Sequence, residues 1–248
     1  MKYLNIDAID KIDANAFRNE QPFPWTNPQG FLTEKGYLEL LETMPAVESM
    51  TPFFGKKRKH GQKSHERYVL EYNDQLELPL PWQEFVEELK SAPYRKLVHQ
   101  LMGSKHIRLR FHWHYTPRGC SVSPHCDARG KLGSQIFYMN TSEEWQEDWG
   151  GETVILNDNG RFPAQSSPQF EDFDEEVAAS TMNNRSLIFG RRGNSWHGVH
   201  EITCPEGSFR KVFIVVYEDM NPRKVLVKRL SRLVKGKPLV TEKERAMY

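Results

Sequence analysis

From Ile107 onward, apolar residues recur at every second position. Leu109, Phe111, Trp113 and Tyr115 fall on one side, and Arg108, Arg110, His112 and His114 on the other. A period of two is that of a β-strand with one apolar face, and a helix of that length cannot satisfy it. Shorter stretches of strand character follow at Ser121–Cys126, Ser134–Asn140, Thr153–Leu156, Arg185–Gly190 and Arg210–Glu218. Turn residues separate them: Pro117-Arg118-Gly119, Trp149-Gly150-Gly151 and Arg191-Arg192-Gly193-Asn194. About seven short strands with such punctuation predict an antiparallel sandwich or jelly roll over residues 107–218.

The residues before this region read differently. Thr33 is placed to cap a helix carrying Tyr37, Leu38, Leu40, Leu41 and Met44 and closed by Pro45. A second helix starts at Pro81-Trp82 and runs through Phe85, Val86 and Leu89. A third, Tyr94 to Met102, repeats Leu97, Val98 and Leu101 and stops at Gly103. These helices are expected to buttress the sheets within the same domain. The organisation is therefore a helical part over 1–103, a strand core over 104–220, and a basic helix and tail over 221–248. Two segments have no assigned role. The basic run Lys56–Lys63, bracketed by Gly55 and Gly61, reads as a mobile loop, and residues 157–184 are a long polar excursion with an acidic run at Glu171–Glu176. The stripe Leu226, Leu230, Leu233 and Val234 among basic residues predicts a C-terminal helix docked on the core.

Composition excludes several classes. A net charge of +1 gives no reason to expect nucleic acid or an acidic membrane surface as partner. No apolar run approaches the roughly 18 residues a membrane-spanning helix needs. The start, Met1 to Asp7, lacks a basic segment followed by an apolar one, so no signal peptide is expected. Three cysteines, Cys120, Cys126 and Cys204, are not a disulfide framework. They fit a reducing cytoplasm.

The chemistry centres on His125-Cys126-Asp127. Residues i and i+2 of a strand share a face, so this imidazole and this carboxylate can converge on one ion. A third ligand must come from elsewhere, and His197 in Ser195-Trp196-His197-Gly198-Val199 is the best candidate. Two histidines and one carboxylate form the facial triad of non-haem Fe(II) sites, with the opposite positions open. His112 and His114 are also two apart, but they share their face with Arg108 and Arg110. A divalent cation beside fixed positive charge is disfavoured, so they are set aside as ligands.

The order His125-x-Asp127, strand, Gly150-Gly151-Glu152, strand, Trp196-His197-Gly198-Val199, then Arg210 opening the last strand resembles the Fe(II)- and 2-oxoglutarate-dependent oxygenases, in particular the branch with the prolyl hydroxylases. The resemblance covers Ile107 to Glu218. It implies an α+β fold with a mainly β core: a double-stranded β-helix (jelly roll) with N-terminal helices packed on one face and a C-terminal helix. It implies His125, Asp127 and His197 as iron ligands, with Fe(II) and 2-oxoglutarate as cofactor and co-substrate, and O2 consumed. Arg210 is similar in placement to the arginine that pairs with the far carboxylate of 2-oxoglutarate. Tyr138, in Gln135–Asn140, and Tyr115, before His125, resemble tyrosines that help hold that co-substrate. His200 competes with His197, but His197-Gly198-Val199-His200-Glu201 matches the family's run from His197.

The activity so implied is hydroxylation of a C–H bond on a protein side chain or a small metabolite, with release of succinate and CO2. Relatives that halogenate lack the carboxylate that Asp127 supplies. Two other readings stand beside it. A nucleic-acid demethylase of the same superfamily would carry a second arginine six residues after the first, where this chain has Val216. A non-catalytic jelly-roll module binding metal or ligand would explain the strands and histidines, but not Arg210 with two tyrosines. Neither substrate nor oligomeric state is readable.

Overall fold

The strand expected from Ile107 runs to Pro117 and pairs along its whole length with Phe209–Asp219. A computed structural model describes residues 1–56 and 61–227 of the chain. Its helices are α1 (Ile6–Asp10), α2 (Ala14–Asn19), α3 (Glu34–Glu42), α4 (Leu80–Lys90) and α5 (Ala92–Met102). Its strands are β1 (Trp25–Thr26), β2 (Thr51–Phe53), β3 (Arg67–Glu71), β4 (Ile107–Pro117), β5 (Val122–His125), β6 (Lys131–Tyr138), β7 (Val154–Asn157), β8 (Glu175–Ala178), β9 (Ser186–Gly190), β10 (Trp196–Val199) and β11 (Phe209–Asp219).

The strands form two antiparallel sheets. One has the order β1-β9-β6-β11-β4-β3-β2 and the other β5-β10-β7-β8. This is the jelly roll the strand count predicted. Thr33 caps α3 by accepting from the Gly36 amide, and Gly103 closes α5 in the left-handed conformation, φ 65°. Residues 222–227 are helical. The rest of the expected C-terminal helix, with Leu230, Leu233 and Val234, lies outside the described residues, as do residues 57–60 of the basic run. Among the described residues no helix is long and apolar enough to cross a membrane.

The larger sheet buries both faces, and that positions everything else. Its outer face packs against the helices through Phe111, Trp113, Tyr115, Phe213, Val215 and Tyr217. Trp82 of α4 meets Trp113 edge-on with ring centroids 5.1 Å apart, and Phe213 lies 4.8 Å from Trp113. Trp82 and Trp113 are fully buried. Truncating either to alanine is expected to cost about 3–5 kcal/mol. Tyr94 of α5 donates to Gln135 Oε1 at 2.8 Å and lies 3.0 Å from the Tyr217 hydroxyl, which ties α5 to this face.

The inner face of the same sheet carries the alternate residues. Ile136, Tyr138 and Val212 pack there with Ile155 of the smaller sheet, Leu187 and Phe189. The polar side of β4 faces this interior, since Val212 is opposite His114 and Ile214 opposite His112. The excursion after β7 is no free loop. Phe162, Phe170 and Phe173 pack on Leu156 and Trp196, on the outside of the smaller sheet, and β8 adds an edge strand to it. Its tip also meets the loop between β2 and β3, where Gln62 donates to the Ser166 carbonyl.

Candidate metal centre

His125 ends β5, and His197 lies directly opposite it on β10. Their ring centroids are 4.4 Å apart. Each Nδ1 lies 3.0 Å from a backbone carbonyl two residues earlier, Ser123 O for His125 and Ser195 O for His197. A carbonyl oxygen only accepts, so each Nδ1 carries the hydrogen and each Nε2 carries the lone pair that a cation takes. Phe189 packs against the His197 ring at 4.7 Å and limits its rotation.

Asp127 joins them. One ligand atom from each of His125, Asp127 and His197 lies within 4.8 Å of the others. The shared strand face predicted from the spacing is not the device, because β5 stops at His125. Asp127 belongs to the following loop and is held from two sides. Arg191 donates to its backbone carbonyl at 3.1 Å, and Lys131 forms an ion pair with its Oδ1 at 2.8 Å. Burial works against a charged carboxyl here. The Lys131 ammonium, with the facing imidazoles of His197 and His125, outweighs it and holds Asp127 well below the usual carboxylate range.

Arg210 is buried on the inner face of β11. Its Nε donates to the Gly151 carbonyl and its Nη2 to Thr153 Oγ1 at 3.1 Å. Both partners are neutral. Burial lowers its pKa in spite of attraction from Tyr138 and Glu152, the mark of a guanidinium whose charge is not fully compensated. The Tyr138 ring lies 5.6 Å from it. The Tyr138 hydroxyl is enclosed near Thr153 and Arg210 but completes a well-formed hydrogen bond with neither. An orphaned hydroxyl beside an uncompensated cation fits an anion with two oxygens.

Two sequence-derived candidates are placed elsewhere. Tyr115 is not brought to this interior. It lies on the outer face with Trp113, and its hydroxyl donates to the Pro45 carbonyl at 2.7 Å. A strand reverses side at every residue, so the position facing inward is His114. His200 points away from the centre: its Nε2 is 2.7 Å from Glu176 Oε1 and its ring stacks on Phe170 at 4.0 Å. Lys131, Arg191, Gly151 and Thr153 were not singled out by sequence reasoning. Gly151 had a signal in the Gly150-Gly151-Glu152 run. Its φ is 98°, and a Cβ there would stand 3.2 Å from Arg210 Cδ and 3.4 Å from Trp145.

Residues 111–217 match the family model of the 2OG-Fe(II) oxygenase superfamily. That match covers most of the β core. An oxygenase of this family uses Fe(II), 2-oxoglutarate and O2, and the donor set fits: two imidazoles with defined tautomers and one ionised carboxylate, with a buried arginine on the same interior. No curated protein matches the chain.

Solved structures share the fold. A Pseudomonas putida prolyl-4-hydroxylase is similar with a TM-score of 0.58 at 14% identity, over 87% of this chain and 99% of that one. A Trichoplax adhaerens prolyl hydroxylase in complex with a hypoxia inducible factor peptide gives 0.54 at 14%, over 89% and 91%. The nogalamycin-biosynthesis epimerase SnoN in complex with Fe3+ and alpha ketoglutarate gives 0.55 at 14%, over 87% and 85%. At such identities the likeness is one of fold, and these neighbours catalyse different reactions.

Proposed function

We propose that this oxygenase hydroxylates a C–H bond of a protein side chain or small metabolite and releases succinate and CO2, with His125, Asp127 and His197 as the iron ligands. The observation that carries the reading is the convergence of those three donor atoms within 4.8 Å. Arg210, Thr153 and Tyr138 are the groups for the far carboxylate of 2-oxoglutarate. The guanidinium supplies the charge and a donor fork, and the hydroxyls supply directed hydrogen bonds.

Bound iron supplies the oxidising chemistry; the chain positions and protects. The Nδ1 hydrogen bonds to Ser123 and Ser195 orient the two imidazoles. Lys131 keeps Asp127 anionic, so the carboxylate competes well for a cation at neutral pH. Ile155, Phe189 and Val212 line the interior with apolar surface that limits water. Asp127 also favours hydroxylation over halogenation, because it occupies the position a halide would need. Neighbours that act on a peptide and on a small molecule support both substrate classes without choosing between them.

The test is mass spectrometry of candidate peptides and metabolites incubated with Fe(II), 2-oxoglutarate and air. A gain of one oxygen that depends on 2-oxoglutarate and is lost in Asp127→Ala supports the reading. Epimerised or desaturated product without added oxygen would replace it.

A further inference from the structure

We propose that Lys131 is a positioning residue for the metal. Its ammonium reserves one oxygen of Asp127, so the carboxylate offers the ion a single oxygen and the remaining coordination positions stay open. The proposal deepens the oxygenase reading and rests on it, because a reserved oxygen matters only if His125, Asp127 and His197 hold a metal.

The two oxygens of Asp127 are not equivalent. Oδ1 accepts from Lys131 Nζ at 2.8 Å, whereas Oδ2 accepts no hydrogen bond among the described residues. The Asp127 side chain is 9% exposed and that of Lys131 17%, so the pair sits out of bulk water, unlike the screened and mobile pairs of a surface. A carboxylate can grip a cation through one oxygen or through both. Through both it fills two positions, and beside two imidazoles it leaves a six-coordinate ion two open positions instead of three. An oxygen already bonded to a fixed ammonium is closed to that second contact, because the ammonium and the metal cation repel each other at such short range.

Lys131 reaches Asp127 from a rigid base. It opens β6 opposite Glu218 of β11. Its amide donates to the Ala128 carbonyl at 3.0 Å, and the Asp219 amide donates to the Gly130 carbonyl at 2.9 Å. The loop Asp127–Gly130 is therefore fastened to the sheet at the end nearer Lys131, while Arg191 holds the Asp127 carbonyl at the other. Glu218 is the cross-strand neighbour that would ordinarily take this lysine. Arg108 engages its Oε2 at 2.5 Å instead, and Arg110 its Oε1 at 3.0 Å. With both Glu218 oxygens occupied, Lys131 forms its ion pair with Asp127. A cation drawn from a strand end, with its alternative acid already engaged, is built to fix the orientation of a metal ligand.

Nitric oxide, which takes the place of O2 on Fe(II), tests this anaerobically in the full chain loaded with Fe(II) and saturated with 2-oxoglutarate. Its adduct is read by electron paramagnetic resonance. Lys131→Met keeps most of the side chain's length and removes the ammonium, and Lys131→Arg keeps a charged donor. The wild type and Lys131→Arg are expected to bind nitric oxide alike. Lys131→Met is expected to hold Fe(II) and 2-oxoglutarate yet to need about tenfold more nitric oxide, the low end of what outer partners of metal ligands control. A pair that only braces the loop would lower the melting temperature of Lys131→Met and leave its nitric oxide affinity unchanged, and that result overturns the proposal. An equal loss in Lys131→Arg overturns it too, as does failure of folded Lys131→Met to hold Fe(II), since the freed oxygen gives the ion a second contact. Where Lys131→Met does not fold, nitrogen-15 NMR of the lysine ammonium groups decides. The Lys131 signal, assigned from Lys131→Arg, is expected to stay protected from exchange with water when Zn(II) fills the site. Its collapse to the rapid exchange of a free lysine on Zn(II) binding overturns the proposal. A wild-type chain that binds no Fe(II) would refute the oxygenase reading itself, and the role of Lys131 with it.

Discussion

His125 and His197 oppose each other across the β5–β10 pair, and each ring is tied through Nδ1 to the carbonyl two residues before it. The two imidazoles are thus fixed before any metal arrives. His197→Ala removes one of the paired rings and is expected to abolish Fe(II) binding. His200→Ala, whose ring packs on Phe170 outside the interior, is expected to leave metal affinity within about twofold, since it loses only contacts to Glu176 and Phe170 away from the ligand atoms. Metal titration monitored by calorimetry distinguishes the two.

Arg210 is a buried cation with neutral partners, so its removal separates stability from binding. Arg210→Met keeps most of the volume and relieves the cost of burying an uncompensated charge. The variant without ligand is expected to melt no lower than the wild type. Two charge-assisted hydrogen bonds at roughly 1.5 kcal/mol each amount to about 3 kcal/mol, or about a hundredfold in 2-oxoglutarate affinity. Thermal melts with and without 2-oxoglutarate measure both quantities.

Tyr115 and Tyr138 make opposite predictions. Tyr138→Phe deletes the hydroxyl beside Arg210 and is expected to weaken 2-oxoglutarate about tenfold, with little effect on stability because that hydroxyl lacks a well-formed hydrogen bond. Tyr115→Phe deletes the hydrogen bond to Pro45 and is expected to cost about 1 kcal/mol of stability with unchanged 2-oxoglutarate affinity.

Acid should weaken the fold through His112 and His114. Burial, the larger cause, and nearby cations hold both well below their ordinary pKa. In the unfolded chain they titrate near about 6.5. Below that pH the unfolded state binds protons that the native state does not, so stability falls with acidification down to the depressed native values. Each histidine adds up to about 1.4 kcal/mol per pH unit to the slope. Denaturant melts between pH 7 and 5 should show this slope, reduced in His112→Gln with His114→Gln.

Much of this was legible in the chain. The period of two at Leu109–Tyr115 identified the central strand, and the motif spacing picked out three residues, His125, Asp127 and His197, that the fold brings together. The same alternation already put Tyr115 on the apolar side with Trp113, and counting back from His125 overrode it. The polar side of β4 was set aside as a source of metal ligands, and the fold adds that this side faces the interior. A strand covered on both sides, with polar groups on one of them, carries the same pattern as a strand facing water. Asp127 was reached by a correct spacing for a different reason, since Arg191 and Lys131 position it beyond the strand end. Neither residue has a local signal, because each acts through a contact made only after folding. The excursion over 157–184 hides its packing in three isolated phenylalanines, too sparse to show a period.

The central claim is that one cavity holds iron and 2-oxoglutarate together. The most direct measurement is anaerobic absorption spectroscopy of the chain with Fe(II) as 2-oxoglutarate is added. The account predicts a visible charge-transfer band that saturates at one equivalent, is absent in Asp127→Ala, and shifts to about hundredfold higher 2-oxoglutarate in Arg210→Met, as loss of about 3 kcal/mol requires. No band with the wild-type chain, or a band untouched by Asp127→Ala, would contradict it.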